Sequence, residues 1–408
     1  MSKHRSFHSL VATQFLTVFN DNLFKQSVLL IAVSHAAVFP EMQSWTQALF
    51  SAPFFIFAAF AGELADRHSK RNIIIACKYI EALIMLVAAV CFYLQSNTAL
   101  LIVVALMGTQ SAFLGPAKYG AIRDYRNGDK LAHANGVFQA FVLFGILLGT
   151  GSAGHLASDN LWLLGIAMAV VAVLGGRVAA KMRHVEPHSV TNDRPSKINP
   201  LSKLVNGFNY AKQFSGLRSA LVGHAAFWLC GSWMLLAWNE FLIVREDGTS
   251  IVALSKGAWS LGLASLSVFM GLGAYICGRL LKQQLHKTVP LIGGLGMAVG
   301  LSCCGLYGDS ELSIWLSLSL ASFFSGFYLI PLRCFVQHTS PANYLGSLLG
   351  LSQMLDFGFI LVASLIRPLL LELEVDANLL LICAAAVMVV SCLGLSKGLP
   401  QRLNLSRV

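Results

Sequence analysis

The chain has 408 residues, of which 56% are hydrophobic and 12% charged, with a mean hydropathy of +0.67. Soluble domains run at about 25% charged residues, so this composition excludes a water-soluble or disordered chain and implies an integral membrane protein. The net charge of +10 and a pI near 9.2 raise nucleic-acid binding as a question, which the sorting of the basic residues described below answers against.

Runs of about 18 to 25 nearly uncharged residues, the length that crosses ~30 Å of hydrocarbon as helix, recur roughly twelve times. They lie near 7–38, 45–62, 72–95, 99–122, 134–157, 160–180, 217–244, 255–281, 288–307, 312–336, 343–371 and 377–397. The first opens with a basic start and an apolar stretch like a signal peptide, yet it continues through Asn20 to Val38 without an obvious cleavage site. It reads as an uncleaved span. Near its midpoint stands Asp21, flanked by Asn20 and Asn22, with Lys25 one turn later. A charge at that depth costs at least ~2.5 to 3.5 kcal/mol unless it faces a cavity or a partner. Two readings follow: a polar binding site, or an i,i+4 pair in which Asp21 and Lys25 neutralise each other.

Between the second and third spans, residues 62–71 read GELADRHSKR. Gly62 permits close helix approach, Asp66 is placed to accept from a helix N-terminus or an Arg, and Arg67, Lys70 and Arg71 hold the loop on the basic side of the membrane. On the third span Lys78 and Glu81 are spaced i,i+3 and can pair. The fourth span carries Pro116 followed by Lys118; proline frees backbone carbonyls and can aim the following cation into a cavity, where a phosphodiester would be a natural ligand. Snorkelling to headgroups is the other reading of Lys118. On the fifth span Gln139 is a neutral hydrogen-bonding candidate, and Gly145, Gly149, Gly151 and Gly154 make a small-residue face for helix packing.

The stretch 184–216 is the longest polar connection, with Pro187, Pro195 and Pro200. It separates two halves, 1–183 and 217–408. Within it Leu201, Leu204, Val205, Phe208 and Ala211 recur at helical spacing, which suits a helix lying in the cytoplasmic interface; a solvated linker helix is the other reading. The seventh span carries Trp228, Trp233 and Trp238, then Asn239 and Glu240, which echo Asn20 and Asp21 at a shift of about 219. A cavity lined from both halves would then hold two carboxylates, suited to an amine; interfacial anchoring by the tryptophans and solvation of Glu240 is the alternative.

The echo extends further. At a shift of about 215, Pro116 falls on Pro331, Lys118 on Arg333, Gly136 on Gly350 and Gln139 on Gln353, and GRLLK at 278–282 repeats the loop after the second span. The chain therefore reads as two related halves. On the eleventh span Asp356 stands near mid-membrane without an obvious local partner, and Arg367 lies about three turns away, too far to meet it.

Roughly 22 of the 29 Lys and Arg fall in the even-numbered connections and the termini, including Arg126, Lys130, Lys181, Arg183, Lys203, Arg279 and Lys282, which marks that side as cytoplasmic. The opposite connections hold Glu41, Asp159, Asp309, Glu311, Glu372, Glu374 and Asp376, with Arg245 and Lys256 as cations. Both termini are expected in the cytoplasm. A basic face against anionic headgroups accounts for the pI without any polynucleotide. The nine cysteines lie in or beside apolar spans with no CxxC pair, so neither disulfides nor a metal site is expected.

The motif at 62–71 resembles the G-x-L-x-D-R-x-x-R-R signature of the major facilitator superfamily, with Glu63 and Lys70 as variants. FNDNLFK at 19–25, GPAKYG at 115–120 and DKLAHANG at 129–136 resemble the narrower family of lysophospholipid transporters of bacterial inner membranes, proteins that occur alone or fused to an acyltransferase and acyl carrier protein synthetase. The resemblance implies an all-α membrane fold of 12 transmembrane helices in two pseudo-symmetric six-helix bundles, working as a monomer by alternating access. It implies flipping of lysophospholipid, chiefly lysophosphatidylethanolamine, from the periplasmic to the cytoplasmic leaflet, and a conformational gate at Gly62, Asp66, Arg67 and Arg71. Set beside the residues, this places the ethanolamine amine on Asp21, aided by Asn20, Asn22, Asn239 and Glu240. The phosphate then falls to Lys25, Lys118 and Arg333, and Gln139, Gln353 and Asp356 complete the polar set. No cofactor and no covalent chemistry are expected, since no phosphate-binding loop or triad spacing is present. Two rivals stay open: a proton-coupled efflux carrier for hydrophobic cations that uses Asp21 or Asp356 as its switch, and a non-transporting membrane partner that docks an acyltransferase through the 181–216 connection.

Overall fold

The computed structural model describes residues 3–34, 42–126, 130–156, 161–186, 199–241, 256–281 and 284–404. Glu41, Asp129, Asp159, Pro187, Pro195, Arg245 and Lys282 lie outside them. The described residues form thirteen α-helices: α1 (Lys3–Ser34), α2 (Met42–Arg67), α3 (Lys70–Tyr93), α4 (Asn97–Tyr125), α5 (Leu131–Leu156), α6 (Leu161–Ala180), α7 (Pro200–Ala211), α8 (Leu217–Glu240), α9 (Lys256–Leu280), α10 (Thr288–Tyr307), α11 (Glu311–Thr339), α12 (Leu345–Glu372) and α13 (Ala377–Gly398). Eleven are long and apolar enough to cross a membrane. α1 is not among the eleven; its 32 residues reach about 48 Å, and it packs along α5 and α6.

Helix ends follow local chemistry. Asn199 caps α7 by accepting from Ser202 N at 3.0 Å, with Pro200 in the first turn where its missing N–H costs nothing. Ser310 and Ser313 form a reciprocal capping box at the start of α11. A ribbon of two short strands, β1 (Gln284–His286) and β2 (Arg402–Asn404), pairs antiparallel with Leu285 opposite Leu403 and ties the α9–α10 connection to the C-terminal segment. This end of the molecule, which also holds α7, is called the linker side below.

The packing repeats. In the first bundle α1 meets α5 and α6, α2 meets α4, and α3 meets α4 and α6. In the second, α8 meets α12 and α13, α9 meets α11, and α10 meets α11 and α13. Each contact of the first set becomes one of the second when α1–α6 are replaced by α8–α13, so the sequence echo at ~215 residues is an architectural one. The outward faces are apolar: Leu83, Val90 and Tyr93 on α3, Leu295 and Val299 on α10, and Val390 and Leu393 on α13 are all at least half exposed. In water such a surface would aggregate; in hydrocarbon it is the matched solvent.

Two seams join the bundles, α2 on α12 and α5 on α9, and they are symmetry mates. Both depend on glycine. A methyl group on Gly62 would stand 2.2 Å from the carbonyl oxygen of Gly346, and one on Gly350 would stand 2.3 Å from that of Ala58 and 3.0 Å from Gly62 Cα. In the mate seam a methyl on Gly278 would stand 3.0 Å from the Ala132 oxygen and 3.3 Å from Gly136 Cα. Backbone thus meets backbone where a side chain would hold the helices apart. Further along the α2–α12 seam the rings of Phe54 and Phe357 stack at 3.6 Å.

Inside the first bundle Lys78 donates to Glu81 at 2.6 Å, and both side chains are fully buried. Asn20 of α1 donates to the other Glu81 oxygen at 2.8 Å and to Met168 O of α6 at 3.1 Å. The i,i+3 pair therefore ties α3 to α1 and α6, while Gly175 leaves room for the Lys78 stem. The small-residue face of α5 serves the same bundle: Gly145 and Gly149 lie against the backbone of α1 at Phe15 and Phe19.

Gly62→Val is expected to destabilise the detergent-solubilised protein by about 1–3 kcal/mol through overpacking. Gly231→Ala, where nothing lies within 4 Å of the added carbon, should leave the melting temperature unchanged. Lys78→Met leaves Glu81 charged, buried and unpaired, and should cost about 3–5 kcal/mol; adding Glu81→Leu should restore most of that loss in the same melting assay.

Candidate functional site

The polar residues of the interior divide into those whose hydrogen-bonding groups are satisfied and those whose groups are not. On α1, Asn20 is committed to Glu81, and Asn22 turns back to donate to Val18 O at 2.8 Å. Asp21 and Lys25, one turn apart, do not join in an ion pair. The Lys25 ammonium sits 4.4 Å above the ring of Phe50 on α2, and Asp21 Oδ1 is buried without a hydrogen-bond donor among the described residues. Asn20 Oδ1 is likewise buried and unpartnered among the described residues. The charges of Glu81, Lys25, Lys78 and Lys118 all act on the Asp21 carboxylate, so α1, α3 and α4 contribute to one electrostatic cluster. Lys118 is half-buried, with its ammonium 5.5 Å from the neighbouring Tyr119 ring.

Tyr119 is where the halves meet. Its ring also receives the Arg333 guanidinium of α11 at 4.1 Å, in a stacked cation–π contact. Thus the symmetry mates Lys118 and Arg333 flank one aromatic ring. Below it, toward the linker side, Gln337 of α11 donates to Tyr119 O at 3.1 Å and accepts from Asn135 of α5 at 2.6 Å. Arg123 of α4 donates to Gln337 O at 2.8 Å and Ser340 O at 2.6 Å. Tyr119, Arg123, Asn135 and Gln337 are functional candidates that the structure adds to those legible in the sequence. Tyr119 and Asn135 lie inside GPAKYG and DKLAHANG, which was the available signal; Arg123 and Gln337 carried none.

In the second bundle the carboxylates have partners from distant helices. Asp356 pairs with His224 of α8 at 2.7 Å, both side chains almost wholly buried, which supplies the partner that inspection of its own helix did not reveal. Glu240 is held by Arg367, whose Nε donates at 2.7 Å while Nη1 donates to Val375 O at 2.7 Å and Nη2 to the second carboxylate oxygen. The side chain of Asn239 lies outside the described residues. Gln139 is buried on α5, and the Gln353 amide on α12 lies against Gly115 of α4, filling the space a methyl there would need. Trp233 donates to Ala363 O at 3.3 Å, Trp238 is buried against Gly262, and Trp228 Nε1 is buried without an acceptor among the described residues.

On the linker side Asp66 accepts from Gly346 N at 2.6 Å, Ser347 N at 2.8 Å and Ser347 Oγ at 2.7 Å. The carboxylate of α2 thereby caps the N-terminus of α12, where free N–H groups and the helix dipole favour an anion. Gly62, one turn earlier, lets α12 come close enough for this. Arg71 instead reaches Ala180 O at the end of α6 at 2.6 Å, and Lys70 pairs with Asp124 of α4 at 3.0 Å. Beside Asp66 a cavity of about 480 Å³ opens between α2, α7 and α12, lined by Glu63, Arg67, Asn206, Tyr210 and Tyr344 among others. Lys203 of α7 forms an ion pair with Glu63 across it, and burial, with Tyr344 and Asp66 nearby, pushes the Tyr210 phenol up from its ordinary range. The helix predicted for the interface is present as α7, with Leu204 and Phe208 packed on protein and Leu201 and Val205 exposed.

Comparison with known proteins agrees with this architecture. The chain is 25% identical over 343 residues to the lysophospholipid transporter LplT of Escherichia coli (strain SE11), covering 82% of this chain and 80% of that protein. To the LplT of Cronobacter sakazakii (strain ATCC BAA-894) it is 24% identical, with the same coverage. Among solved structures, the human organic anion transporter MFSD10 superposes with a TM-score of 0.75 at 14% identity, covering 97% of this chain and all of that one. The Escherichia coli fucose:proton symporter FucP superposes at 0.73 and 13% identity, covering 98% and 100%. At such identities the structural likeness speaks for the fold alone. The relatives and the spanning helices mark a multi-pass protein of the bacterial inner membrane and a transporter rather than an enzyme. The sequence pattern of the Major Facilitator Superfamily matches residues 10–364, and this chain is a member of that superfamily.

Proposed function

We propose that the protein moves lysophospholipid, chiefly lysophosphatidylethanolamine, from the periplasmic to the cytoplasmic leaflet by alternating access. The observation that carries this reading is Asp21: a carboxylate on α1 with one buried oxygen that no donor among the described residues satisfies, near two cations that are not paired with it. A buried acceptor left without a donor is costly in a resting protein, and a primary amine supplies the missing hydrogen bonds. Lys25 and Lys118, held over aromatic rings rather than by carboxylates, suit the phosphate of the same headgroup. Arg333, stacked on Tyr119, adds a cation from the other half. Asn20 and Asn22 shape the wall around Asp21, Gln139 and Gln353 offer neutral contacts, and Asn239 and Glu240 belong to the corresponding place in the second half, where Arg367 already compensates Glu240. The substrate named for the LplT relatives agrees with this chemistry.

In this reading the Asp66 cap on α12 and the Gly62 approach hold the linker side shut. That side is cytoplasmic by its basic residues, Arg67 and Arg71 secure the loop, and release of Asp66 accompanies opening. The cargo's acyl chain stays among the lipid-facing apolar surfaces, and the chain acts as a monomer with no cofactor. A separate acyltransferase that re-acylates the delivered lysolipid is the partner this chemistry calls for.

Uptake of labelled lysophosphatidylethanolamine into spheroplasts tests the assignment. Asp21→Asn and Lys118→Ala each remove one charge-assisted contact, worth about 1.5–3 kcal/mol, so apparent affinity should fall roughly 10- to 100-fold. Undiminished uptake in both variants would remove the site assignment, and no uptake by the native protein would remove the substrate. Asp66→Asn should slow uptake while leaving equilibrium binding of the lysolipid intact; equal loss of both would mean that Asp66 contacts the cargo instead.

A further inference from the structure

Two polar atoms one turn apart on α8 are buried and have no partner among the described residues: Nε2 of His224 and the indole Nε1 of Trp228. The two rings lie 6.5 Å apart, centroid to centroid. His224 Nδ1 stands 2.7 Å from Asp356 Oδ1 of α12. A carboxylate only accepts, so Nδ1 carries the ring hydrogen and Nε2 is left with its lone pair. An indole N–H only donates. One atom therefore needs a donor and its neighbour needs an acceptor, and a hydroxyl group supplies both from a single oxygen.

His224, Trp228, Gly231 and Leu235 follow one another at helical spacing on one face of α8. Exposure rises along that face: His224 is fully buried, Trp228 and Gly231 are half-buried, and Leu235 is 37% exposed. A methyl group on Gly231 would meet nothing within 4 Å. The pair thus sits at the closed, linker-side end of a face that opens toward the other side of the membrane. It also lies near the candidate site. Asp356 is one turn from Gln353 on α12, the Gln353 amide rests against Gly115 of α4, and Lys118 follows Gly115 by one turn. Contacts in series through α12 therefore connect the Lys118 end of the site to His224.

We propose that His224 Nε2 and Trp228 Nε1 recognise the free glycerol hydroxyl of the cargo, the first accepting its hydrogen and the second donating to its oxygen, and so select lysolipid against diacyl lipid. In a 1-acyl lysophospholipid this hydroxyl stands on the carbon next to the one that bears the phosphate ester, beside the headgroup that Lys118 and Arg333 would hold. In diacyl lipid the same oxygen is part of an ester. It has no hydrogen to give to Nε2, and it carries a second acyl chain into the closed end of the face. Asp356 is a positioning residue: its contact at Nδ1 fixes the tautomer that leaves Nε2 an acceptor. This inference rests on the lysophospholipid reading above and deepens it, by naming the atoms that tell the lyso form from the intact lipid.

The test measures equilibrium binding to the detergent-solubilised full chain of three lipids: 1-acyl lysophosphatidylethanolamine, its 2-deoxy analogue, and its 2-O-methyl ether, which accepts a hydrogen bond but cannot donate one. The native chain should bind the deoxy lipid about tenfold or more weaker than the hydroxyl lipid, because two buried polar atoms then stay unpaired. Trp228→Phe keeps a ring and removes the N–H; it should cut that preference about fivefold while leaving affinity for the deoxy lipid unchanged. His224→Phe would strand Asp356, so it is combined with Asp356→Leu, and this double variant should bind the hydroxyl lipid and the methyl ether alike. Equal binding of hydroxyl and deoxy lipids by the native chain overturns the proposal, leaves the two atoms to water, and spares the substrate reading. An undiminished preference in Trp228→Phe or in the double variant also overturns it, since the hydroxyl is then read elsewhere. If the folded native chain binds none of the three, the substrate reading falls and this inference falls with it.

Discussion

A charge held in hydrocarbon must find a counter-charge, a hydrogen-bond network or water, and the rest of this structure is arranged around that demand. The protein meets it in two ways. Lys78 with Glu81, Glu240 with Arg367, and Asp356 with His224 are matched sets built from at least two side chains, all buried or nearly so. Among the described residues, Asp21, Lys25 and Lys118 are compensated by field and by aromatic rings. Pairs of the first kind hold helices in place, since removing one member strands the other. In the proposed reading, groups of the second kind retain capacity for a ligand; three lie in the first half, and Arg333, held over the Tyr119 ring, lies in the second. The duplicated architecture is thus used unequally, with one of these matched sets in the first half and two in the second.

Much of the architecture was legible in the order of residues. Length and apolarity of the runs located the spans, because crossing a bilayer as helix fixes both. The ~215-residue echo located the symmetry that appears as matching helix contacts, and the i,i+3 spacing of Lys78 and Glu81 placed them on one helix face, where they pair. Partners across the bundle were not legible. His224 and Asp356 are 132 residues apart, and Glu240 and Arg367 are 127 apart. Which turn of one helix faces which turn of another is set by packing of whole helices, and no local spacing encodes it. Asp356 therefore reads as solitary in the sequence, although an ionisable His224 inside an apolar run is itself a signal.

The contact between halves on the linker side shows why the short motifs matter. GPAKYG supplies both Lys118, toward the candidate site, and Tyr119, on which Arg333 stacks; DKLAHANG supplies Asn135, which bonds Gln337, and Gly136, which meets Gly278. GELADRHSKR supplies the Asp66 cap and Gly62. Residues that read from sequence as separate motifs lie in one contact region between the halves, made of two glycine seams and a polar network between them. Lys118, the proposed phosphate contact, and Tyr119, on which Arg333 of the other half rests, are neighbours in the chain, so the proposed site and the contact between halves are one peptide bond apart.

The paired glycine seams carry an implication about ancestry. Gly62 and Gly278 occupy corresponding places in the two halves, as do Gly136 and Gly350, and each seam joins a glycine of the first kind to one of the second. Two identical six-helix chains related by a two-fold axis would form both seams from a single pair of positions, an isologous interface in which each surface patch is used twice. The present joint between halves is therefore what a homodimer of one unit would already have possessed, and fusion into a single polypeptide required only a tether of the kind that α7 now occupies.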